Sequence, residues 1–279
     1  MPIRPAAWLS VVWLVPLALG VAACAKGAPG IDRDLRVAGG QLEVWCDGGP
    51  GPAVMFLSAI GGDDSLMPIA ERLADRADVC FYFRPGDGET EPPDAPRSAA
   101  DDAADLHELL GAAGIPRPVV LVAHSYGGLV AVVETAEHPE DVAGVVLVDA
   151  SHPDQETRVS AYFTPEQQAI SDAELANFPF VDFTSSLAEA GTAYSSFPDI
   201  PLTVITATHG FASACEQQLP CDAMQSVWLE VQAEYASLTP GARHVLANTG
   251  HYIHEEDPDL VVSEIEAMLE RVNEASPSP

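Results

Sequence analysis

Ser125 lies in "LVAHSYGGLV", where an apolar run gives way to a stretch with helical spacing, and small residues flank it: Ala123 two before and Gly127 two after. A serine on a sharp strand-to-helix turn presents its hydroxyl from a strained backbone, and its neighbours must be small to clear the turn. The chemistry such a corner serves is nucleophilic attack. Serine performs it when an imidazole takes its proton and a carboxylate orients that imidazole. The candidate bases are His251 in "ANTGHYIHEEDPDLV", His254 three residues on, His209 in "TATHG" and His124 beside the serine. His124 ends the strand and points away from its neighbour's side. His251 is preferred because it follows the last apolar run and Gly250 before it permits a turn.

Other chemistries find less support. His251, His254 and the acidic run 255–257 lack the helical H-E-x-x-H spacing of a metal pair, and "GGDDS" has no lysine for a phosphate loop. No metal and no organic cofactor are expected.

The elements that must position Ser125 and His251 follow from hydropathy. Short apolar runs rich in Val, Ile and Leu at 42–46, 53–57, 79–83, 119–123, 145–148, 202–206 and 243–247 read as strands. Longer amphipathic stretches between them, such as "SAADDAADLHELLGAAG" and "PDLVVSEIEAMLERV", read as helices. This alternation predicts an α/β chain with a mostly parallel central sheet flanked by crossover helices. Between 152 and 201 the rhythm breaks, and "TPEQQAI" predicts a helix capped by Thr164 with Pro165 at its first position and Glu166 behind it. The insertion carries Tyr162, Phe163, Phe178, Phe180, Phe183 and Tyr194, aromatics suited to a lid over a cleft or to a small core of its own.

Charge restricts the partners. Twelve Lys and Arg against 42 Asp and Glu give a formal net charge of −30, which repels phosphate backbones and anionic headgroups. Nucleic acid is not an expected partner. Residues 1–23 combine Arg4 with an apolar run and read as a secretory signal. The run ends in Val21-Ala22-Ala23-Cys24, which resembles a bacterial lipobox and marks Cys24 for lipidation, with a tether over 24–38. The chain is expected to be exported, as a cell-envelope lipoprotein, or as a secreted protein if Cys24 stays unmodified. Its only membrane contact would be that anchor. Four further cysteines suit an oxidising compartment, and their positions predict the pairs Cys46 with Cys80 and Cys215 with Cys221.

Taken in order, "FLSAIGG", "FRPGDGETEPP", "AHSYGG", "VVLVDASHPDQ" and "TGHYIHEEDP" resemble the α/β-hydrolase superfamily of esterases, haloperoxidases and proline iminopeptidases, over about residues 36–272. The resemblance implies a hydrolase core at 39–151 and 201–272, a small helical cap at 152–200 inserted after the sixth strand of that fold, and a flexible tail at 273–279. It also implies a triad acid. The commonest position, after the strand "LTVITATHG", has no carboxylate until Glu216, with Asp222 beyond; Asp149, ending "VVLVDAS", is the alternative used in part of the superfamily and is preferred here. By the same resemblance the oxyanion donors are the backbone N–H groups of Tyr126 and Ile60, although Ser58-Ala59 replaces the usual His-Gly. The expected function is hydrolysis of a carboxylic ester or related small-molecule acyl substrate through Ser125, Asp149 and His251. The alternatives are an aminopeptidase using cap carboxylates such as Glu166 or Asp182, and a non-catalytic binding protein on the same scaffold.

Overall fold

A computed structural model describes residues 30–275. The signal segment 1–23, Cys24, residues 25–29 of the tether and residues 276–279 of the tail lie outside the described residues.

The apolar runs become strands because they are covered on both faces. β3 (Ala53–Leu57), β5 (Val119–His124) and β7 (Leu202–Ala207) are buried at every position. Each such Val, Leu or Ile contributes roughly 1.5–3 kcal/mol by leaving water. With β1 (Ile31–Val37), β2 (Gly40–Cys46), β4 (Asp78–Phe83), β6 (Val142–Val148) and β8 (Arg243–Ala247) they form one sheet in the order β1-β2-β4-β3-β5-β6-β7-β8. β1 and β2 pair antiparallel at one edge, and the pairs from β4 to β8 are parallel.

β1 departs from expectation, since residues 31–37 were read as tether. Ile31, Leu35 and Val37 share a face with Arg33, whose guanidinium reaches the carbonyls of Ala112 and Ala113, while Asp32, Asp34 and Arg36 lie on the other, so the strand's charge obscured its alternation. Charged side chains on an edge strand also discourage pairing with other chains.

One face of the sheet packs against α2 (Ala99–Ala113) and α3 (Gly127–Glu137), the other against α1 (Met67–Leu73) and the terminal helix. The insertion forms α4 (Gln155–Ser160), α5 (Pro165–Leu175) and α6 (Phe183–Tyr194). Thr164 caps α5 as expected, its hydroxyl accepting from the Gln167 N–H, with Pro165 following. The insertion is not all cap, however. α6 packs against α2 and α3, burying Ala190 and Ala193 in the main core. Only α4 and α5 overhang the sheet end. The chain then runs through α7 (Ala212–Glu216), α8 (Cys221–Tyr235), α9 (Ile253–Glu256) and α10 (Pro258–Ala275). α10 continues three residues into the segment expected as tail, its apolar stripe reaching Val272.

The cysteines pair as expected. Cys46 and Cys80 are direct cross-strand partners on β2 and β4 with Cα atoms 4.1 Å apart, and Cys215 and Cys221 bridge α7 to α8 at 5.2 Å.

Candidate active site

β5 and β6 are neighbours in register, with Ala123 opposite Leu147 and His124 opposite Val148. Ser125 and Asp149 therefore leave the sheet side by side, and both adopt left-handed backbone, at φ 51° and 43°. Non-glycine residues seldom hold that conformation, at a cost of about 1–3 kcal/mol each, unless the surroundings over-determine it. Here the backbone does so: the Ser125 N–H donates to Val148 O (3.4 Å), the Ser151 N–H to Ser125 O (2.8 Å), and the Asp149 N–H to Ile205 O (2.7 Å). The small residues after Ser125 have equally local reasons. A Cβ on Gly127 would meet Leu57 O at 2.5 Å, and one on Gly128 would collide with the Ala150 methyl. Ala123 is fully buried within the β3–β5–β6 ladders, so its methyl fits where glycine was the expected residue.

Asp149 is fully buried and receives three donors. Its Oδ1 accepts from Trp228 Nε1 (2.7 Å) and Ala207 N (2.9 Å), and its Oδ2 accepts from His251 Nδ1 (2.6 Å). That hydrogen bond orients the imidazole so that Nε2 is the free nitrogen. Ser125 and His251 face one cavity of about 330 Å³. Among the described residues they share no direct hydrogen bond, a contact that in ligand-free sites often tightens only when substrate binds.

The rival histidines have other partners. The Nε2 of buried His124 lies 3.1 Å from the backbone carbonyl of His251 and supports that loop from below. His254 is buried with its Nε2 2.9 Å from Ser65 Oγ, and exposed His209 meets Asn248. Burial pushes the His254 imidazole down to about 4, and burial together with His251 and His254 pushes His124 well below the usual range. At neutral pH both rings are uncharged, so they add no positive charge beneath His251. Glu216 and Asp222 are exposed and make no contact with His251 among the described residues.

Tyr126 is fully buried, its hydroxyl 3.1 Å from Asp102 Oδ2 and 3.3 Å from Ser186 Oγ, so its side chain turns away from the cavity. Among the described residues, the backbone N–H groups of Tyr126 and Ile60 have no acceptor. The Ile60 loop is held from behind by buried Arg84, from "FRPGDGETEPP". Its guanidinium donates to the carbonyls of Ser58 (3.2 Å) and Ala59 and pairs with Asp87 at 2.9 Å.

The cavity wall was only partly foreseen. α4 and α5 supply Gln155, Ser171 and Glu174; none of the six expected lid aromatics lines this cavity itself, but Phe163 and Phe183 line an adjoining one that shares these three residues, and Phe178 lies against Gly61. Phe163 packs with Val159, Val227 and Trp228; Phe183 packs near Tyr126; Tyr194 stacks against His152 and Tyr235. The apolar wall comes instead from Phe211, Leu219, Met224 and Trp228 around the Cys215–Cys221 bridge, and from Tyr252. Glu166 and Asp182 do not line it either; Asp182 caps α6. The apolar periodicity of "AMQSVWLEVQ" was the available signal for α8, but nothing in it marked Trp228 as a partner of Asp149.

The Alpha/beta hydrolase family model matches residues 48–264. The chain is 26% identical over 221 residues to the uncharacterized protein YqjL of Bacillus subtilis (strain 168), covering 77% of this chain and 82% of that protein. It is 38% identical over 104 residues to the pimeloyl-[acyl-carrier protein] methyl ester esterase of Chromobacterium violaceum, covering 37% and 39% of the two chains. Among solved structures, the enol-lactonase from Burkholderia xenovorans LB400 superposes with a TM-score of 0.61 at 22% identity, over 85% of this chain and 100% of that one.

Proposed function

Since the chain belongs to the alpha/beta hydrolase family, we propose that it is a serine hydrolase cleaving a carboxylic ester or related small-molecule acyl substrate. The observation that carries this reading is the 2.6 Å hydrogen bond from His251 Nδ1 to buried Asp149, at the wall of the cavity that Ser125 enters from a left-handed turn. Ser125 Oγ attacks the acyl carbonyl, His251 Nε2 takes its proton, and Asp149 stabilises the imidazolium. The unpartnered N–H groups of Tyr126 and Ile60 receive the oxyanion. The alcohol leaves with the proton from His251, and water activated by the same nitrogen then releases the acid from the acyl-enzyme. In this reading no metal or organic cofactor takes part.

The test is hydrolysis of p-nitrophenyl acetate together with labelling by a fluorophosphonate probe. Both depend on Ser125, and a folded Ser125→Ala variant with full activity would remove the assignment. Failure of the probe to label Ser125 in the well-folded protein would instead revive the binding-protein alternative. Glu174 on the cavity wall supports a second reading, an aminopeptidase whose substrate amine meets that carboxylate. Faster turnover of aminoacyl anilides than of esters would favour it.

For localisation, the apolar run 1–23 and the sequence Val21-Ala22-Ala23-Cys24 support export and a lipid on Cys24. Incorporation of labelled palmitate, lost in Cys24→Ala, tests this; a mature chain starting beyond Cys24 refutes it.

A further inference from the structure

The far end of the elbow helix holds a second constellation that the hydrolytic reading does not use. α3 begins beside Ser125 and spans 11 residues, so its C-terminus lies about 16 Å from the nucleophile at 1.5 Å per residue. There Glu134 and His138, one turn apart, face His107 of α2. One donor atom from each of the three residues lies within 4.8 Å of the others. His107 Nδ1 is 3.5 Å from Glu134 Oε1 and 3.4 Å from Asp141 Oδ2, and the rings of His107 and His138 stack at 3.6 Å.

Glu134 is fully buried, and among the described residues neither of its oxygens, nor His107 Nδ1, has a hydrogen-bond partner. Three orphaned polar atoms aimed at one point are uncommon, because each costs about 1–3 kcal/mol, and a carboxylate more. No Lys or Arg pairs with Glu134 among the described residues. Arg117 is turned to Asp141 at 2.6 Å instead.

We propose that His107, Glu134 and His138 bind one Zn²⁺ ion, with Asp141 beside it and water from the half-exposed His107 side in the fourth position. Two imidazoles and a carboxylate suit this borderline cation, and Glu134 with Asp141 balances its charge. Tetrahedral donors at 2.0–2.1 Å stand about 3.3 Å apart, so the cluster must contract and the two stacked rings must splay. Both rings are partly exposed. Bound there, the ion ties α2 to the C-terminal end of α3, away from the reacting atoms. Its effect falls on stability rather than on turnover.

The test uses the purified, EDTA-treated chain titrated with ZnCl₂ by calorimetry and thermal melting. The expected result is one ion per chain at micromolar affinity and a melting point that rises with zinc. His107→Ala and His138→Ala should each weaken binding about a hundredfold and abolish the rise, while p-nitrophenyl acetate hydrolysis by His138→Ala stays unchanged. His138→Gln serves if an alanine variant does not fold, and Glu134→Gln should weaken binding likewise. No heat and no shift at about 100 μM zinc overturns the proposal. So does equal affinity in His138→Ala, which would place the ion elsewhere, or zinc inhibition of hydrolysis without a stability gain.

Discussion

Trp228→Phe removes the indole N–H that supports Asp149, at the cost of a smaller ring in the same buried cluster. The ring keeps its place among Val159, Val227 and Val231 and its edge contact with Phe211, but Asp149 Oδ1 loses the 2.7 Å donor and retains only Ala207 N. A hydrogen bond to a charged group is worth about 1.5–3 kcal/mol net. For a chain of this size each kcal/mol moves the melting point about 2–4 °C, so the variant should melt roughly 3–12 °C lower. The bond exists before and during reaction, and only its difference between the two states enters kcat. That difference is positional: a carboxylate with one anchor fewer rotates, and the imidazole it orients drifts with it. We expect kcat on p-nitrophenyl acetate to fall about tenfold with KM little changed. Val231→Ala is the control. Val231 is fully buried in the same cluster and bonds to nothing polar in the site, so it should cost a comparable 1–3 kcal/mol or so and leave kcat within about twofold. If both variants lose kcat equally, or if Trp228→Phe keeps full turnover, the indole N–H does not act through Asp149.

Asp149→Asn must point its carbonyl at the two donors on Oδ1, which turns its NH₂ toward His251 Nδ1 and forces the wrong tautomer; kcat should drop about 10⁴-fold with the fold intact by circular dichroism. His254 titrates near 4 in the folded chain against about 6.5 unfolded, so the unfolded chain takes the proton first. Stability is therefore full above about pH 6.5 and declines by up to about 3 kcal/mol as pH falls toward 4; urea unfolding should show a flatter acid slope in His254→Gln, and an identical slope would refute this. Arg84→Met leaves Asp87 buried and unpaired, at a cost of about 3–5 kcal/mol by denaturant titration, and Arg84→Met with Asp87→Asn should recover part of it. The single variant should also lose kcat, through the loosened Ser58–Ala59 carbonyls that Arg84 holds.

What could be read from the chain was whatever its local pattern dictates. Ser125 stood out because a buried strand, a turn of small residues and an apolar helix are all written within a few positions. His251 was preferred for its place after the last strand and behind Gly250, and Asp149 only by the resemblance; the fold brings the two within 2.6 Å. β1 escaped because an edge strand's outward charges outweigh its three inward apolar residues. The lid aromatics were legible only as a group, for a related reason: their number marks a candidate lid, but not which rings turn to a cavity, as Phe163 and Phe183 do, and which pack inward, as Tyr194 does beside His152 and Tyr235. The Trp228–Asp149 bond spans 79 positions, and Arg84's grip on Ser58 spans 26; neither leaves a periodic signal. Such contacts are set when elements dock, after every local preference has been satisfied.

The lacing of Ser125 and Asp149 to one another's strands also bears on how such a protein diverges. The spacing of Ser125 and Asp149 is a property of sheet register, stitched by backbone hydrogen bonds. The cavity wall, in contrast, is drawn from α4, α5 and the bridged α7–α8 segment, which contribute side chains. Drift in those segments remodels what the cavity admits while leaving the register untouched, except at Trp228, which both lines the cavity and holds Asp149 and so ties the two together.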